Sequence, residues 1–147
     1  MWRNLSKVLF SIQGNLFMKD ELNYSIEKFN KALSKLNIGI KKAKDQLDND
    51  GVIQRFEFTF ELLWKTLRLF LLAEGITTKS PKEALKESFR FGLIKDEEIF
   101  LDMLEDRNQT SHIYSEEITR EIVRRIKKFY LSKLTELSKE LRKVSEK

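Results

Sequence analysis

The sequence predicts an all-α protein: an up-and-down bundle of three long helices and two shorter ones, with the general plan of a four-helix bundle. Three observations support this fold class. Residues that break helices are scarce, since proline occurs once and glycine five times in 147 residues. Apolar residues recur every three or four positions along most of the chain, and no segment alternates like a half-buried strand. Charged residues make up 35% and apolar residues 41%, as is typical of a soluble protein built from amphipathic helices.

The first helix is predicted from about Glu21 to about Asn49. Its apolar residues follow a repeating spacing of four and three, which places them on one face: Leu22, Ile26, Phe29, Leu33, Leu36, Ile40, Ala43 and Leu47. The turn-forming sequence Asn49-Asp50-Gly51 is expected to end this helix. Residues 1–17 precede the pattern and are interpreted as an N-terminal extension or a misassigned start. The single domain is therefore predicted to occupy residues 18–147.

The second helix is predicted from about Val52 to about Glu74, with Gly75 just beyond its C-terminal cap. One face carries a stripe of apolar residues: Ile53, Phe56, Phe60, Leu63, Leu67 and Phe70. Further apolar residues lie outside this stripe: Phe58, Leu62, Trp64, Leu69 and Leu72. A helix that is apolar on more than one side predicts a central position in the bundle, a self-association surface, or both.

Three further helices follow, each with a recognisable start. Ser80 followed by Pro81 is typical of a helix N-terminus and predicts a short helix that ends before Gly92. Asp96 is expected to cap the fourth helix, and Ser115 the last one. The last helix carries apolar residues near heptad spacing: Ile118, Ile122, Ile126, Phe129 or Tyr130, Leu134, Leu137, Leu141 and Val144.

Composition excludes several kinds of site. The chain has no cysteine, so disulfides, thiolate ligands and cysteine nucleophiles are absent, and its single histidine, His112, cannot form a histidine cluster. We therefore expect neither a metal site nor a cofactor. The longest apolar run, Leu69 to Ala73, is too short to span a bilayer, and the N-terminus lacks the continuous apolar region of a signal peptide. These features predict a cytoplasmic protein without a membrane segment.

The segment from Arg107 to Tyr114 is the part of the chain best suited to chemistry. His112 can exchange protons near neutral pH, Arg107 can bind a phosphate, and Tyr114 carries a phenol that can donate, accept or attack. At about 100° per residue, Arg107 and His112 lie about 140° apart on an unbroken helix. Either the helix ends between them or a second copy of the chain completes the site. The polar residues from Asn108 to Ser111 favour a helix end.

The charges are distributed unevenly along the C-terminal half. Residues 94–117 contain eight acidic and two basic residues, whereas residues 120–147 contain ten basic and four acidic residues. Solvated helix faces explain this pattern most simply. A basic last helix that helps to hold an anionic partner such as RNA is the sharper alternative.

Several motifs, taken in their order along the chain, resemble those of HEPN-domain proteins. The R-x4-H-x-Y pattern that ends in Tyr114, with Asn108 after its arginine, is similar to the HEPN signature. Three other stretches look like hallmark positions of nucleotidyltransferase substrate-binding proteins, the helical partners of minimal nucleotidyltransferases: Gly51 to Glu57, Phe60 to Lys65 and Ser80-Pro81. The resemblance extends from Met18 onward and does not include residues 1–17.

The resemblance implies a homodimer or higher oligomer, encoded near a minimal nucleotidyltransferase as a toxin–antitoxin pair. Catalytically active relatives are metal-independent endoribonucleases. Carried over to this chain, Arg107 would bind the scissile phosphate of RNA, His112 would be the general acid or base, and Asn108 would position either the phosphate or the histidine. Tyr114 would accept a nucleotide from the partner enzyme, and the bulky charged group would silence the toxin by blocking RNA.

Two other interpretations stay open at this point. The chain could be a non-catalytic substrate-binding subunit that presents a nucleotide or an acceptor to the nucleotidyltransferase, so the sequence leaves open whether it is an enzyme. It has no Gly-Ser followed by paired aspartates, and is therefore not itself a nucleotidyltransferase. A plain helical interaction module is the third possibility. That possibility is favoured only if Arg107 and His112 lie far apart even across a dimer interface. Taken singly, Arg107 could pair with Asp102 or Asp106, and His112 could be a surface or capping residue.

Overall fold

The computed structural model describes residues 2–112 and 115–145, with side chains from Leu16 onward. Its helices are α1 (Trp2–Lys42), α2 (Gln46–Ala73), α3 (Pro81–Phe91), α4 (Glu97–Thr110), α5 (Glu116–Arg125) and α6 (Leu131–Ser145). A π-helical turn, Ile126–Tyr130, joins α5 to α6, so these three elements form one long helix. The predicted all-α bundle of three long and two short helices is confirmed. Among the described residues, no helix has a stretch of sufficient length and hydropathy to span a lipid bilayer.

Helix α2 lies at the centre of the bundle, as its apolar surface predicted. It packs against α1, α3, α4 and α5, while α6 closes the bundle against α1. The stripe along α2 is buried: Ile53, Phe56, Phe60, Leu63, Leu67 and Phe70. Outside the stripe, Trp64 is only partly buried against the core, whereas Phe58 remains 60% exposed. The second apolar face of α2 is therefore covered in part.

The prediction for the junction between the first two helices was wrong. The chain breaks at residues 43–45 rather than after Asn49, and Gly51 lies inside α2. The amide of Asp48 donates to Oδ1 of Asp45 (2.9 Å), and this side-chain cap starts α2. Such a cap satisfies amides that a helix start leaves unpaired, whereas a glycine within a helix costs only about 1 kcal/mol. Leu47 consequently belongs to α2 and is 79% exposed, so it does not extend the apolar face of α1.

The first helix also starts earlier than predicted. Helix α1 begins at Trp2, not near Glu21, and it continues without a break through residue 17. The apolar face from Leu22 to Ile40 is buried as predicted. The interpretation of residues 1–17 as an extension outside the domain stays a prediction.

The predicted caps of the remaining helices are confirmed. Ser80 Oγ accepts a hydrogen bond from the amide of Glu83 (3.1 Å) at the start of α3, with Pro81 in its first turn. Asp96 and Ser115 cap α4 and α5 in the same way. At the other end of α2, the amide of Ile76 donates to the carbonyl of Leu71 (2.8 Å) and that of Gly75 to Leu72 (3.0 Å). This is the Schellman arrangement, and it requires the positive φ of 84° found at Gly75.

The π-helical turn keeps the last helix in register with the core. Ile122, Ile126, Tyr130 and Leu134 follow one another at intervals of four residues, and all four are buried. In a regular α-helix each such step advances by about 40°, so three steps would turn Leu134 about 120° away from the core. In the π turn the amide of Leu131 donates to the carbonyl of Ile126, five residues back. The wider turn absorbs the extra residue and returns Leu134 to the core face.

The same turn decides which of two aromatic residues faces the interior. The sequence left Phe129 and Tyr130 as alternatives, and the structure buries Tyr130 while Phe129 stays exposed. The Tyr130 ring stacks on Phe56 of α2, with ring centroids 5.8 Å apart and planes inclined by 20°. A phenol hydroxyl is thereby carried into the core, where it needs a hydrogen-bond partner.

Alanine substitution at two glycines distinguishes their surroundings. Gly75→Ala is expected to lower the free energy of unfolding by about 1 kcal/mol, because a Cβ is strained at positive φ. Gly51→Ala is the matched control and is expected to raise it by up to about 1 kcal/mol, because position 51 is helical and an added Cβ meets open space. Chemical denaturation measures both changes. If Gly51→Ala destabilised the protein as much as Gly75→Ala, the helical assignment of residue 51 would be wrong.

Candidate functional site

The candidate site lies where α4 ends, between two of the predicted site residues. The helix stops at Thr110, whose hydroxyl donates to the carbonyl of Arg107 (2.6 Å). The amide of His112 then donates to the carbonyl of Gln109 (2.9 Å). These local bonds satisfy carbonyls that have no partner further along the helix. The helix end predicted from the polar run between Arg107 and His112 is confirmed.

His112 and Asn108 line the same open groove of about 810 Å³. The groove runs along one face of α4 and is bordered by the first turns of α3 and α5. Its lining residues are Lys82, Leu101, Leu104, Glu105, Asn108, Gln109, His112 and Ile118. Apolar side chains therefore lie beside an imidazole, two amides, one ammonium and one carboxylate. Such a groove offers groups for proton transfer and for binding an anion.

Arg107 has a different orientation. Its guanidinium lies 3.6 Å from Oε2 of Glu61 on α2, and Oε1 of the same carboxylate lies 3.4 Å from Nζ of Lys65. Of the described side chains, those that line the His112 groove do not include Arg107. One copy of the chain thus brings Asn108 and His112 together without Arg107. Arg107 therefore pairs with Glu61, and with neither Asp102 nor Asp106.

Tyr114 and Ile113 lie outside the described residues, so the proposed role of Tyr114 stays a prediction. The described part of the chain, residues 2–112 and 115–145, contains no group of three or more acidic, histidine or cysteine side chains placed to hold a metal ion.

Asp106 forms a buried polar network beside the motif. Its Oδ2 accepts a hydrogen bond from Nε of Arg125 and its Oδ1 accepts one from Nη2, each at 2.8 Å. The hydroxyl of Tyr130 also donates to Oδ2. Asp106 is almost completely buried, whereas the side chain of Arg125 is 37% exposed. A paired, fork-shaped contact of this kind fixes both the distance and the orientation of the two groups.

The network shifts the pKa values of two of its members. Burial raises the pKa of Tyr130 well above its ordinary value, and the hydrogen bond to Asp106 adds to that shift. The hydrogen bond to Asp106 raises the pKa of Arg125. Tyr130 consequently stays protonated as a donor and Arg125 stays charged over the whole physiological pH range. The carboxylate of Asp106 is then stabilised by one cation and one neutral donor.

Sequence reasoning missed this network and the contribution of Lys82 to the groove. One signal for Tyr130 was present, namely the spacing of four that runs through Ile126, Tyr130 and Leu134. Three such steps in succession do not fit a regular helix, and they indicate a local change of register. The pairing of Asp106 with Arg125 carried no comparable signal, because 19 residues separate the partners.

Comparison with known proteins identifies the family. A family described as "Nucleotidyltransferase substrate binding protein like" matches residues 24–143. The chain belongs to this family. The match includes the whole segment from Arg107 to Tyr114, and it confirms the resemblance seen in the sequence.

Known relatives of this chain agree with that placement. A Haemophilus influenzae protein named probable ribonuclease HepT is 35% identical over 86 residues, or 55% of this chain. The matched region spans 59% of that protein, which is less than two thirds of its length. A solved structure from Thermus thermophilus is 32% identical and has a TM-score of 0.68, covering 81% of this chain and 99% of the other.

A second solved structure comes from Haemophilus influenzae and is 28% identical, with a TM-score of 0.57. It covers 86% of this chain and 98% of the other, and it was described as the fold of a substrate binding domain of a nucleotidyltransferase. The bundle of this family member is therefore shared with solved structures along nearly their full lengths.

The buried network makes a prediction about stability. Asp106→Asn is expected to lower the free energy of unfolding by about 2 to 3 kcal/mol, because Arg125 loses its charged partner. The partial exposure of Arg125 keeps this cost below that of a fully buried ion pair. Glu105→Gln removes the adjacent, exposed carboxylate and is expected to change stability by less than about 0.5 kcal/mol. Urea denaturation of the two variants provides the comparison. Equal effects would show that the network contributes nothing specific.

Proposed function

We propose that this chain is the helical partner of a minimal nucleotidyltransferase encoded nearby, and that it acts as the toxin of the pair. In this role it is a metal-independent endoribonuclease, and nucleotidylation of Tyr114 silences it. The observation that carries the proposal is the shared groove of His112 and Asn108, in a chain that is similar to a probable ribonuclease. Lys82, in the same groove, adds a cation that suits a polyanionic substrate.

The reaction uses a nucleophile that RNA itself supplies. The 2′-oxygen loses its proton to a general base and forms a bond to the adjacent phosphorus, while the bond from phosphorus to the 5′-oxygen breaks. The departing 5′-oxygen takes up a proton from a general acid, and the other product carries a 2′,3′-cyclic phosphate. His112 serves as the acid or the base, and Asn108 positions the imidazole or the phosphate. Arg107 offsets the charge that develops on the phosphate oxygens.

Arg107 and His112 do not line one groove in a single chain, so the proposed enzyme works as a homodimer or higher oligomer. Arg107 of one copy completes the groove of another, which satisfies the geometric requirement set by the helix. The exposed faces of α2 and α5 are available for this association, since Phe58 and Ile118 are both exposed there. The basic residues of the last helix extend the cationic surface along RNA.

The alternative proposal is a non-catalytic subunit that presents a nucleotide or an acceptor to the nucleotidyltransferase. The family description and the description of the second Haemophilus influenzae structure favour it. A stable complex with the encoded nucleotidyltransferase is common to both proposals. Cleavage of RNA by the isolated chain separates them.

Expression of the chain alone is expected to arrest bacterial growth and to degrade cellular RNA. His112→Ala is expected to abolish both effects, since loss of a general acid or base lowers a rate by about 100-fold or more. Glu98→Ala, an exposed substitution near the start of the same helix, is the control and is expected to remain fully toxic. Growth curves at matched soluble protein levels give the measurement. Full toxicity of His112→Ala would contradict the catalytic assignment.

Coexpression with the encoded nucleotidyltransferase is expected to add AMP to Tyr114 and to restore growth. Mass spectrometry of the peptide that contains Tyr114 detects the added nucleotide. Tyr114→Phe is expected to remain unmodified and toxic in the presence of the partner, because it lacks the acceptor hydroxyl. Tyr24→Phe removes an exposed hydroxyl from α1 and is expected to be silenced like the parent chain. Growth rescue with Tyr114 unmodified would show that the partner silences the toxin by another route.

A further inference from the structure

We propose that Asp106, held by Arg125 and Tyr130, is a positioning residue that fixes the motif-bearing end of α4 against the last helix. This inference rests on the proposed function, because it assigns the network a role in the same reaction. Asp106 itself touches no reacting group. It acts through the placement of Asn108 and His112, which follow it at the same end of α4.

The apolar anchors of α4 stop before the motif begins. Its buried side chains are Phe100, Met103 and Asp106, at intervals of three residues along one face. The first two hold the N-terminal half of α4 by apolar packing. Beyond Met103, Asp106 is the buried side chain of the helix, so a polar contact replaces apolar packing where the motif starts. The position of the C-terminal half of α4 consequently depends on directional hydrogen bonds.

Hydrogen bonds specify a position more narrowly than apolar contacts do. The two parallel bonds from Arg125 fix the plane of the Asp106 carboxylate, and the Tyr130 hydroxyl fixes one of its oxygens from a third direction. The three donors come from two neighbouring turns of the last helix, just before and within the π turn. A rotation of α4 about its axis would break all three bonds together, whereas Leu or Met at this site could slide with little loss.

The π turn is the element that makes the network possible. It directs Tyr130 inward, where the ring rests on Phe56 of α2 and the hydroxyl reaches Asp106. In a regular α-helix, the intervals of four residues from Ile122 to Ile126 and on to Tyr130 would turn the Tyr130 side chain away from α4. π turns are rare and are frequently found at functional sites. In this chain the π turn packs against α4, the helix that carries the motif.

The surrounding charges keep Arg125 paired with Asp106. A small open cleft of about 340 Å³ beside the network is lined by Asp102, Glu105, Asp106, Gln109, Arg125 and Tyr130. Three carboxylates and one guanidinium give this cleft a negative balance, which disfavours phosphate as a ligand of Arg125. Glu105 and Gln109 line both this cleft and the His112 groove. The network and the candidate site thus lie on adjacent faces of the same two turns of α4, with Glu105 and Gln109 between them.

Substitution of the two partners tests the inference better than removal of Asp106, which leaves Arg125 unpaired and risks unfolding. Tyr130→Phe keeps the ring on Phe56 and removes only the hydroxyl. Arg125→Lys keeps the charge but loses the fork-shaped contact. The matched controls are Tyr24→Phe and Arg90→Lys, which make the same changes at exposed positions of α1 and α3.

Two measurements are made on the untagged chain of residues 1–147, at a temperature where circular dichroism shows every variant folded. The first is cleavage of a labelled, mixed-sequence single-stranded RNA, with kcat and KM determined separately. Both network variants are expected to lower kcat at least about tenfold with KM within about threefold of the parent, since misplaced catalytic groups lose rate rather than affinity. The second is the imidazole resonance of His112, which is unambiguous because the chain has one histidine. It is expected to shift in both network variants and in neither control.

The outcomes separate this inference from the proposed function. Network variants with the kcat and the His112 resonance of the parent overturn the inference, even if their melting temperatures fall. A parent chain that cleaves no RNA overturns the proposed function instead. The His112 resonance then decides the inference alone: a shift confined to the network variants supports it, and unchanged spectra overturn it.

Discussion

Helix α2 carries more apolar surface than one neighbouring helix can cover, and the rest of the bundle is arranged around that requirement. α1 covers one side of its stripe, and α3, α4 and the last helix cover the others. Burial of each large apolar side chain contributes about 2 kcal/mol, so leaving this stripe exposed would cost more than a small domain can lose. The candidate site depends on the same packing, because α4 is short, lies against α2 and carries no apolar side chain in its last six residues, from Glu105 to Thr110.

Sequence patterns predicted what depends on local chemistry and on summed burial. The caps at Ser80, Asp96 and Ser115 and the end of α2 at Gly75 were predictable, because each is decided within a few residues. The central position of α2 was predictable because its periodicity extends over many residues. The break at residues 43–45 was not, since the apolar rhythm of α1 continues through it to Leu47. Helix α2 starts there because Asp45 caps it, and the spacing of apolar residues carries no information about such a cap.

In the candidate site, too, contacts between residues close in sequence were predictable, whereas contacts between residues far apart in sequence were not. The end of α4 after Thr110 was readable from its hydroxyl and amide side chains. The partners of the acidic residues were not readable, because Asp106 pairs with Arg125 across 19 residues and a change of helical register. Glu61 likewise meets Arg107 only because α2 and α4 pack together. Helix geometry limited which groups could converge, but only the fold decided which groups met.

Arg107 of the motif and Arg125 of the last helix show how burial changes the way in which one residue type pairs with a carboxylate. Arg125 makes two bonds of 2.8 Å to a buried carboxylate, so exchanging Asp106 for another anion would leave a buried charge unpaired. Arg107 is one-third exposed and contacts Glu61 at 3.6 Å, an ion pair of the kind that contributes at most about 1 kcal/mol. Lys65 shares that carboxylate, so the cluster of Arg107, Glu61 and Lys65 keeps a net positive charge. A phosphate can therefore replace Glu61 beside Arg107 at little cost, as the substrate-binding role proposed for Arg107 requires, whereas the buried pairing of Arg125 suits the positioning role proposed for Asp106.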